Sequence, residues 1–169
     1  ADPESWLSQL SRSLAEDDRR MLAHAFATAR SLYAETALPQ TGENVFSHAV
    51  AAAAVVADLN LLPDAIAATL LFYAPEIRPD WQPWLSAGFN TPVAILVDGA
   101  SRVRRLTELA HIDQLDTPEE RARQAETMRK MLLAMVSDIR VVLIKLAWRT
   151  QTMHYLVHCP ETVQRKLAQ

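Results

Sequence analysis

The sequence predicts an all-α fold, a single compact helical bundle, on the strength of three observations. Apolar residues recur at steps of three and four over long segments, which places them on one face of a helix. No Asn-Gly or Asp-Gly pair separates two alternating apolar segments, so no β-hairpin is indicated. Five prolines stand where a helix would begin, a position at which their missing N–H costs little: Pro3, Pro63, Pro92, Pro118 and Pro160.

The N-terminal part of the chain contains three predicted helices. The first two lie near residues 4–14 and 17–36 and precede a loop from Pro39 to Asn44. The third is rich in alanine and valine and runs from His48 to Ala57. A helix with apolar residues on most sides is typical of the interior, so we expect this one to be buried.

The middle of the chain combines two more helices with a proline-rich segment. Residues Ala65–Leu71 form an apolar helix, and three prolines then break any helix into short irregular turns: Pro75, Pro79 and Pro83. The next helix runs from Thr91 to Arg105 and ends in a polar loop at 106–116. Its inward residues are expected to be Val93, Leu96, Val97 and Ala100.

Two helices are expected in the C-terminal third. Thr117 and Glu120 form a capping box for the first, and Ser137 and Asp138 are good caps for the second. Charged residues interrupt the apolar stretch at 131–148, and each costs about 2.5–3.5 kcal/mol at a bilayer centre, so we expect no membrane span. The buried stripe is expected to contain Leu132, Met135, Ile139, Val142, Leu146 and Met153.

Composition limits the classes of function. The chain has 17 Lys+Arg and 20 Asp+Glu, a net charge of −3, which argues against generic nucleic-acid binding. Its three glycines lie too far apart for a glycine-rich phosphate loop. The single cysteine, Cys159, fits a cytoplasmic protein. From the residues that follow Ala1 we expect no signal peptide, and we expect one domain, residues 1–169, taken from a longer protein.

Several residues carry chemistry that is explained more simply by a structural role. His48 is expected to point inward, where a histidine is usually a hydrogen-bonded core residue. Aromatic residues at 72, 73 and 148 are most simply part of the core or of a lid. Glu76 and Arg149 are candidates for an ion pair.

His154 and His158 stand four residues apart beside Cys159, a spacing that can hold a metal ion on a helix. No third ligand accompanies them in the sequence. Histidines in the last turn of a helix also interact favourably with its dipole, and that reading stays open. His24 and His111 are expected in ordinary surface or loop positions.

Several segments resemble one known family. The segments Arg129–Met135, Asp138–Ala147 and Val93–Gly99 are similar to signature segments of RelA/SpoT-type (p)ppGpp synthetases/hydrolases. The segment Ala57–Leu71 resembles the helix that leads into the family's His-Asp motif. The resemblance covers about residues 17–169 and implies the N-terminal hydrolase domain, an all-α HD-type bundle.

The resemblance implies a Mn²⁺ site whose ligands are mostly replaced here. Active members hold the ion with a histidine, a His-Asp pair and a distal aspartate, which correspond to His48, to Phe72 and Tyr73, and to Trp148. Phenylalanine and tryptophan offer no lone pair to a hard cation, and a phenol is a poor ligand near neutral pH. We therefore expect no cofactor, and we expect the three aromatic side chains to cluster near His48 and fill the former cleft.

Other positions of the family's hydrolase site differ as well. Of its catalytic Glu-Asp pair, Glu76 remains while Ile77 replaces the aspartate. The basic pair that the resemblance implies for nucleotide binding corresponds to Pro39 and Gln40, and a nucleotide-side asparagine corresponds to Thr152. Three basic residues are expected around the pocket: Arg140, Lys145 and Arg149.

These departures predict a catalytically inactive hydrolase domain from a RelA-type GTP pyrophosphokinase of the stringent response. The resemblance implies a cytoplasmic parent that binds the ribosome through a region outside this chain. The role of this domain would be to support and restrain the adjoining synthetase domain, without direct contact to nucleic acid or membrane. Two alternatives remain: a residual metal-dependent (p)ppGpp 3′-pyrophosphohydrolase that uses His48 and Glu76, and a non-catalytic module that binds a guanine nucleotide.

Overall fold

The computed structural model describes residues 2–110, 118–135 and 138–159, and every regular element within these ranges is a helix. The predicted all-α fold is confirmed. None of the described helices combines the length and apolar character needed to cross a membrane. In chain order the helices are α1 (Pro3–Ser11), α2 (Glu16–Tyr33), α3 (Val45–Asp58), α4 (Pro63–Leu70), α5 (Ala74–Ile77), α6 (Trp81–Gly88), α7 (Thr91–Ala110), α8 (Pro118–Met135) and α9 (Ile139–Val157).

The short helix α4 lies at the centre of the fold. It packs against α2, α3, α7 and α9, and every residue from Ala65 to Leu70 is buried. Pro63 occupies the beginning of the helix, as predicted. Because α4 is apolar on all sides, it can be surrounded by other helices, and its ends are therefore held in fixed positions relative to them.

Helix α3 begins earlier than predicted. Its first residue is Val45, and Oδ1 of Asn44 accepts a hydrogen bond from the backbone N–H of Ser47 at 3.0 Å. The predicted loop at 39–44 therefore includes the residue that caps the helix. His48 lies within the first turns of α3 and is completely buried, in agreement with its expected inward orientation.

Two prolines that were expected to interrupt helical structure lie in short helices instead. Pro75 is in the first turn of α5, and Pro83 is in the first turn of α6. An N–H in the first turn has no partner within the helix, so proline loses no hydrogen bond there. The prediction of irregular turns is wrong at these two positions.

Helix α7 begins at Thr91, as predicted, but ends later than predicted. Asn90 caps it, because Oδ1 of Asn90 accepts from the backbone N–H of Val93 at 3.0 Å. The helix continues to Ala110, so the first part of the predicted loop is helical. The predicted inward residues are all buried: Val93, Leu96, Val97 and Ala100.

The buried face of α9 is not the predicted one. Ile139, Leu146 and Met153 are 67%, 53% and 51% exposed. The residues that are buried are Val141, Ile144, Ala147, Trp148 and Leu156. The segment is apolar on more than one side, so spacing alone allows two stripes, and packing against α3, α4 and α7 selects one.

The predicted break between the last two helices is present. Helix α8 ends at Met135, and α9 begins at Ile139 after Asp138, whose carboxylate accepts from the backbone N–H of Arg140 at 2.9 Å. Some predictions fall outside the described residues or side chains, namely those for Thr117, Ser137, Pro160 and His111 and for the side chains of Leu132 and Met135.

Helices α7 and α9 approach each other closely at Gly99. A Cβ atom at this position would lie 2.9 Å from Cγ2 of Val141. Any side chain would therefore force either the Val141 side chain or one of the two helices to shift. Gly99 thus sets the distance at which α9, the helix that carries Trp148, packs against the core.

Candidate functional site

The candidate site surrounds the C-terminal end of α4, where the last carbonyl groups of a helix have no partner within it. Side chains from two other helices supply the partners. The hydroxyl of Tyr33 donates to the carbonyl of Leu70 at 2.8 Å. The indole N–H of Trp148 donates to the carbonyl of Thr69 at 3.1 Å. These two hydrogen bonds fix α2 and α9 to the end of α4.

Four aromatic rings meet at this end of the helix. The ring of Trp148 lies 4.5 Å from that of His48, 4.8 Å from that of Phe72 and 6.0 Å from that of Tyr73, between centroids. His48 is 0%, Phe72 4% and Trp148 6% exposed, while Tyr73 is half-buried. The clustering that the sequence predicts is confirmed. We call these four residues the aromatic cluster.

His48 is held by hydrogen bonds at both ring nitrogens. Its Nδ1 lies 2.6 Å from Oε2 of Glu43, and its Nε2 lies 3.1 Å from the backbone carbonyl oxygen of Trp148. Glu43 is itself 6% exposed. A carbonyl can only accept, so Nε2 carries a proton and donates it to Trp148. The contact between Nδ1 and the carboxyl group of Glu43 joins the two residues.

The same carboxyl group ties a loop to α9. Oε1 of Glu43 accepts from the side-chain amide of Gln151 at 2.8 Å. The loop is closed by backbone hydrogen bonds from Leu38 to the carbonyl of Glu43 and from Gly42 to the carbonyl of Leu38, each 2.8 Å long. Gly42 has a φ of 75°, a left-handed conformation that favours glycine. The loop thus brings an acidic residue beneath the aromatic cluster.

An open cleft of about 400 Å³ remains beside the aromatic cluster. The prediction that the aromatic side chains fill the former cleft is therefore only partly right. The cleft brings together most positions that the sequence singled out, from the loop, α3, α9 and the turn after α4. Its lining residues are Leu38, Pro39, Gln40, Thr41, His48, Phe72, Tyr73, Glu76, Arg104, Lys145, Trp148, Arg149 and Thr152.

Arg104, on α7, is a cleft residue that sequence reasoning missed. Its side chain is 11% exposed, its Nη2 forms an ion pair with Oε1 of Glu76, and its guanidinium carbon lies 5.9 Å from the centre of the Phe72 ring. The Nε of Arg104 is buried without a hydrogen-bond partner. The expected pairing of Glu76 with Arg149 is wrong, because the carboxylate of Glu76 contacts Arg104 and the side chain of Arg149 is exposed.

The basic residues predicted for the pocket divide into two groups. Lys145 and Arg149 line the cleft, but Arg140 does not. The guanidinium of Arg140 instead contacts the carboxylate of Asp138 at 2.6 Å. Hydrogen bonds from Arg140 lower the pKa of that carboxyl group. Arg140 is thus part of the N-terminal cap of α9 and not of the candidate site.

Burial raises the pKa of two tyrosine hydroxyls near the cleft. Tyr33 is fully buried, and desolvation of its phenolate is the largest cause. For Tyr73 the causes are burial and then the negative charge of Glu76, with Arg104 acting in the opposite direction. Both side chains are therefore neutral hydrogen-bond donors at physiological pH.

The second candidate metal site involves His154 and His158 at the C-terminal end of α9. Both side chains are exposed, and His158 is the C-terminal cap of the helix. Among the described residues, no group of three or more histidine, cysteine or acidic side chains is placed to hold a metal ion. His24 is exposed on α2, as expected, and stacks on Phe89 with ring centroids 4.7 Å apart.

Two charged residues of the site carried no recognisable signal in the sequence. Glu43 lies in a polar loop next to a glycine, a context that is typical of solvent-exposed acids. Arg104 is one of three arginines between positions 102 and 105, and nothing in the pattern separates it from its neighbours. Only the position of Arg104 four residues from the buried Ala100, on the inward side of α7, could have indicated its burial.

Comparison with known proteins identifies the fold. A model of the HD domain family matches residues 25–169 of this chain. The chain belongs to the HD domain family. This assignment agrees with the resemblance predicted from the sequence. Similar proteins further show that the domain is of the RelA/SpoT type.

This HD domain is similar to part of several longer proteins. It is 35% identical over 163 residues to the bifunctional (p)ppGpp synthase/hydrolase SpoT of Escherichia coli (strain K12). The aligned region covers 96% of this chain and 22% of that protein. It is 36% identical over 132 residues to a GTP pyrophosphokinase of Myxococcus xanthus, and that aligned region covers 78% of this chain and 17% of that protein.

A third relative is the guanosine-3′,5′-bis(diphosphate) 3′-pyrophosphohydrolase of Haemophilus influenzae, with 38% identity over 128 residues, or 76% of this chain and 18% of that protein. The relatives named here are thus described as hydrolases or as pyrophosphokinases. This HD domain spans about a fifth of their length.

Proposed function

We propose that this HD domain does not hydrolyse (p)ppGpp and acts as a structural and regulatory module of a longer RelA/SpoT-type protein. Its role there is to support and restrain a synthetase domain that makes (p)ppGpp as a GTP pyrophosphokinase. The observation that carries the proposal is that both ring nitrogens of His48 already have hydrogen-bond partners within the protein itself.

The side chains of the aromatic cluster do not fit a divalent metal ion. A histidine ligand must present a lone pair, but Nε2 of His48 holds a proton toward the carbonyl of Trp148, and Nδ1 faces the carboxyl group of Glu43. Phe72 and Trp148 have no ligating atoms toward a hard cation. The hydroxyl of Tyr73 keeps its proton because its pKa is raised. We therefore derive no catalytic step that uses a metal ion in this chain.

The competing proposal, a residual hydrolase that uses His48 and Glu76, has less support. It requires His48 to be free of Glu43 and Trp148, and it requires Glu76 to be free of Arg104. Each of these residues is instead held by an ionic or hydrogen-bonded partner. Both ring nitrogens of His48 have partners, and Oε1 of Glu76 is paired with the cation of Arg104.

The test of inactivity is the release of pyrophosphate from ppGpp in millimolar Mn²⁺, beside the SpoT protein of Escherichia coli as an active control. We expect no release above that of a sample with EDTA. Release that depends on Mn²⁺ and is lost in Glu76→Gln would show that this domain is a hydrolase after all.

The test of the regulatory role uses the full-length protein. Removal of residues 1–169 is expected to change the rate of (p)ppGpp synthesis or its dependence on amino-acid starvation. A truncated protein whose synthesis and regulation match those of the full-length protein would contradict the regulatory role, while inactivity of the domain would remain a separate result.

A further inference from the structure

The open cleft has the size of a small-molecule site. Its volume of about 400 Å³ falls in the range of pockets that bind small ligands, and it is too small to receive a folded partner. Residues from five separate parts of the chain line it, including the loop that ends at Glu43 and the helices α7 and α9. An aromatic wall therefore faces a space that the protein leaves open.

The charge of the cleft is opposite to that of the whole chain. Arg104, Lys145 and Arg149 line it, whereas Glu76 is the single acidic residue of its lining. The buried carboxyl group of Glu43 lies beneath and is matched by His48. A chain with a net charge of −3 thus concentrates positive charge in one small space, a distribution that attracts small anions.

Arg104 is the best placed of the three cations to hold an anion. Its guanidinium is mostly shielded from solvent, and packing near Phe72 limits its movement. Arginine presents a planar fork of N–H donors that matches the oxygen atoms of a phosphate or carboxylate group. Glu76 engages Nη2, but the adjacent Nε on the same guanidinium is buried without an acceptor. The protein itself therefore pairs only part of this guanidinium, and a buried unpaired donor costs free energy.

We propose that the cleft binds a small phosphate-bearing anion without a metal ion, with Arg104 as the anchoring residue and Glu76 as the group that competes with the anion. This inference rests on the proposed function and names the ligand class of the same cleft. A protein-borne cation supplies the positive charge, so binding needs no divalent ion. Glu76 acts as an internal competitor, because an incoming phosphate must displace its carboxylate from the guanidinium.

The hydroxyl of Tyr73 and the positive charge of Lys145 support this arrangement. Both residues line the cleft, Tyr73 from the turn after α4 and Lys145 from α9. The Tyr73 hydroxyl is neutral and can donate a hydrogen bond to an anion. Replacement of Glu76 by a neutral side chain would remove the negative charge that pairs with Arg104 and would strengthen binding.

The test is a titration of the 169-residue chain with inorganic pyrophosphate and with GDP, in EDTA and at low salt, followed by calorimetry. Both probes are expected to bind, and added salt is expected to weaken them. Guanosine is expected not to bind, because it lacks the phosphate groups. No binding of either phosphate-bearing probe, or equal binding of guanosine and GDP, would overturn the proposal.

Three variants identify the anchoring residue. Arg104→Gln is expected to weaken pyrophosphate binding at least about tenfold, because it removes charge-assisted hydrogen bonds from a partly buried site. Arg102→Gln is the matched control, since Arg102 is on the same helix, is 57% exposed and pairs with Asp98 outside the cleft. Its affinity is expected to equal that of the unaltered chain. Equal affinities of the Arg104 and Arg102 variants would overturn the proposal.

Glu76→Gln, the third variant, keeps the test decisive even if the Arg104 variant does not fold. This substitution preserves the shape of the side chain and removes its charge, so pyrophosphate is expected to bind several-fold more tightly. Unchanged or weaker binding would contradict the competition between Glu76 and the anion. Because these titrations contain EDTA, they are independent of the Mn²⁺-dependent assay that tests the proposed function.

Discussion

At the scale of single residues, the pair formed by His48 and Glu43 shows how a buried histidine and a buried carboxyl group become part of the core. Both side chains are almost completely buried, and each has its polar atoms matched by the other or by a backbone or amide group. Burial of a charge is costly unless it is paired and hydrogen-bonded. Each residue therefore lowers the free-energy cost of burying the other, because it supplies a hydrogen-bond partner.

Removal of one partner is expected to be strongly destabilising. Glu43→Ala leaves Nδ1 of His48 and the amide of Gln151 without their acceptor, and we expect a loss of about 3 kcal/mol in the free energy of unfolding, as for other broken buried pairs. Glu43→Gln still accepts a hydrogen bond and should lose less. Urea unfolding measures both, with the exposed Glu16→Ala as control. Equal stabilities of the Glu43 and Glu16 variants would show that the buried pair is not stabilising.

Tyr33 predicts how stability depends on pH in alkaline solution. Burial raises its pKa in the folded state above the ordinary value, so the folded protein keeps the proton where the unfolded chain loses it. The stabilisation is complete below about pH 10, and above this the free energy of unfolding falls by about 1.4 kcal/mol per pH unit. Tyr33→Phe is less stable near neutral pH, because it lacks the bond to Leu70, but its pH dependence above about pH 10 should be flatter. Parallel curves for the two proteins would contradict this assignment.

At the scale of helices, the sequence predicted which elements form better than how they face each other. Proline and cap residues mark where α1, α4 and α8 begin, because these signals act locally. The buried face of α9 depends on its contacts with three other helices, and Leu146 and Ile144 are equally apolar in the sequence. No local rule chooses between them, so the predicted stripe was wrong.

The close contact between α7 and α9 predicts the effect of a methyl group. Gly99→Ala places a carbon 2.9 Å from Val141, and overpacking of this kind typically costs about 1–3 kcal/mol, partly offset by about 1 kcal/mol of better helix propensity. We expect a net loss in stability, measured by urea unfolding.

A double-mutant cycle separates this clash from other effects. Val141→Ala removes the atoms that the added methyl group would meet, so Gly99→Ala should be less harmful, or even stabilising, when position 141 is already alanine. Additive effects of the two substitutions would mean that the contact does not limit the approach of the helices.

At the scale of the whole molecule, the candidate site was predicted through the resemblance and not through physical pattern alone. His48, Phe72, Tyr73 and Trp148 come from three separate parts of the sequence, and only a known relative links them before the fold is known. Neither the resemblance nor the sequence pattern pointed to Glu43 or Arg104 as residues of the site. Their importance follows from burial and from contacts at long range in the chain, which neither periodicity nor composition contains.

The thermal stability of the chain is expected to be independent of Mn²⁺. A ligand at a hundredfold excess over its Kd adds about 2.7 kcal/mol to a protein that binds it only when folded, which corresponds to several degrees in Tm for a chain of this size. We expect the same Tm in EDTA, in millimolar Mn²⁺ and in the same concentration of Mg²⁺ as a control for ionic effects. A rise specific to Mn²⁺ would indicate a metal site that the described donors do not explain.

The aromatic cluster also restricts the evolutionary routes open to this domain. Under the proposed function, a return to hydrolysis would need ligating side chains at several positions where rings are now packed against each other. A single step such as Phe72→His or Trp148→Asp would bury a polar group and lose packing, while a metal site needs three or more ligands before it contributes anything. Each intermediate would be less stable and still inactive. Selection could therefore lead a lineage into this state far more easily than out of it.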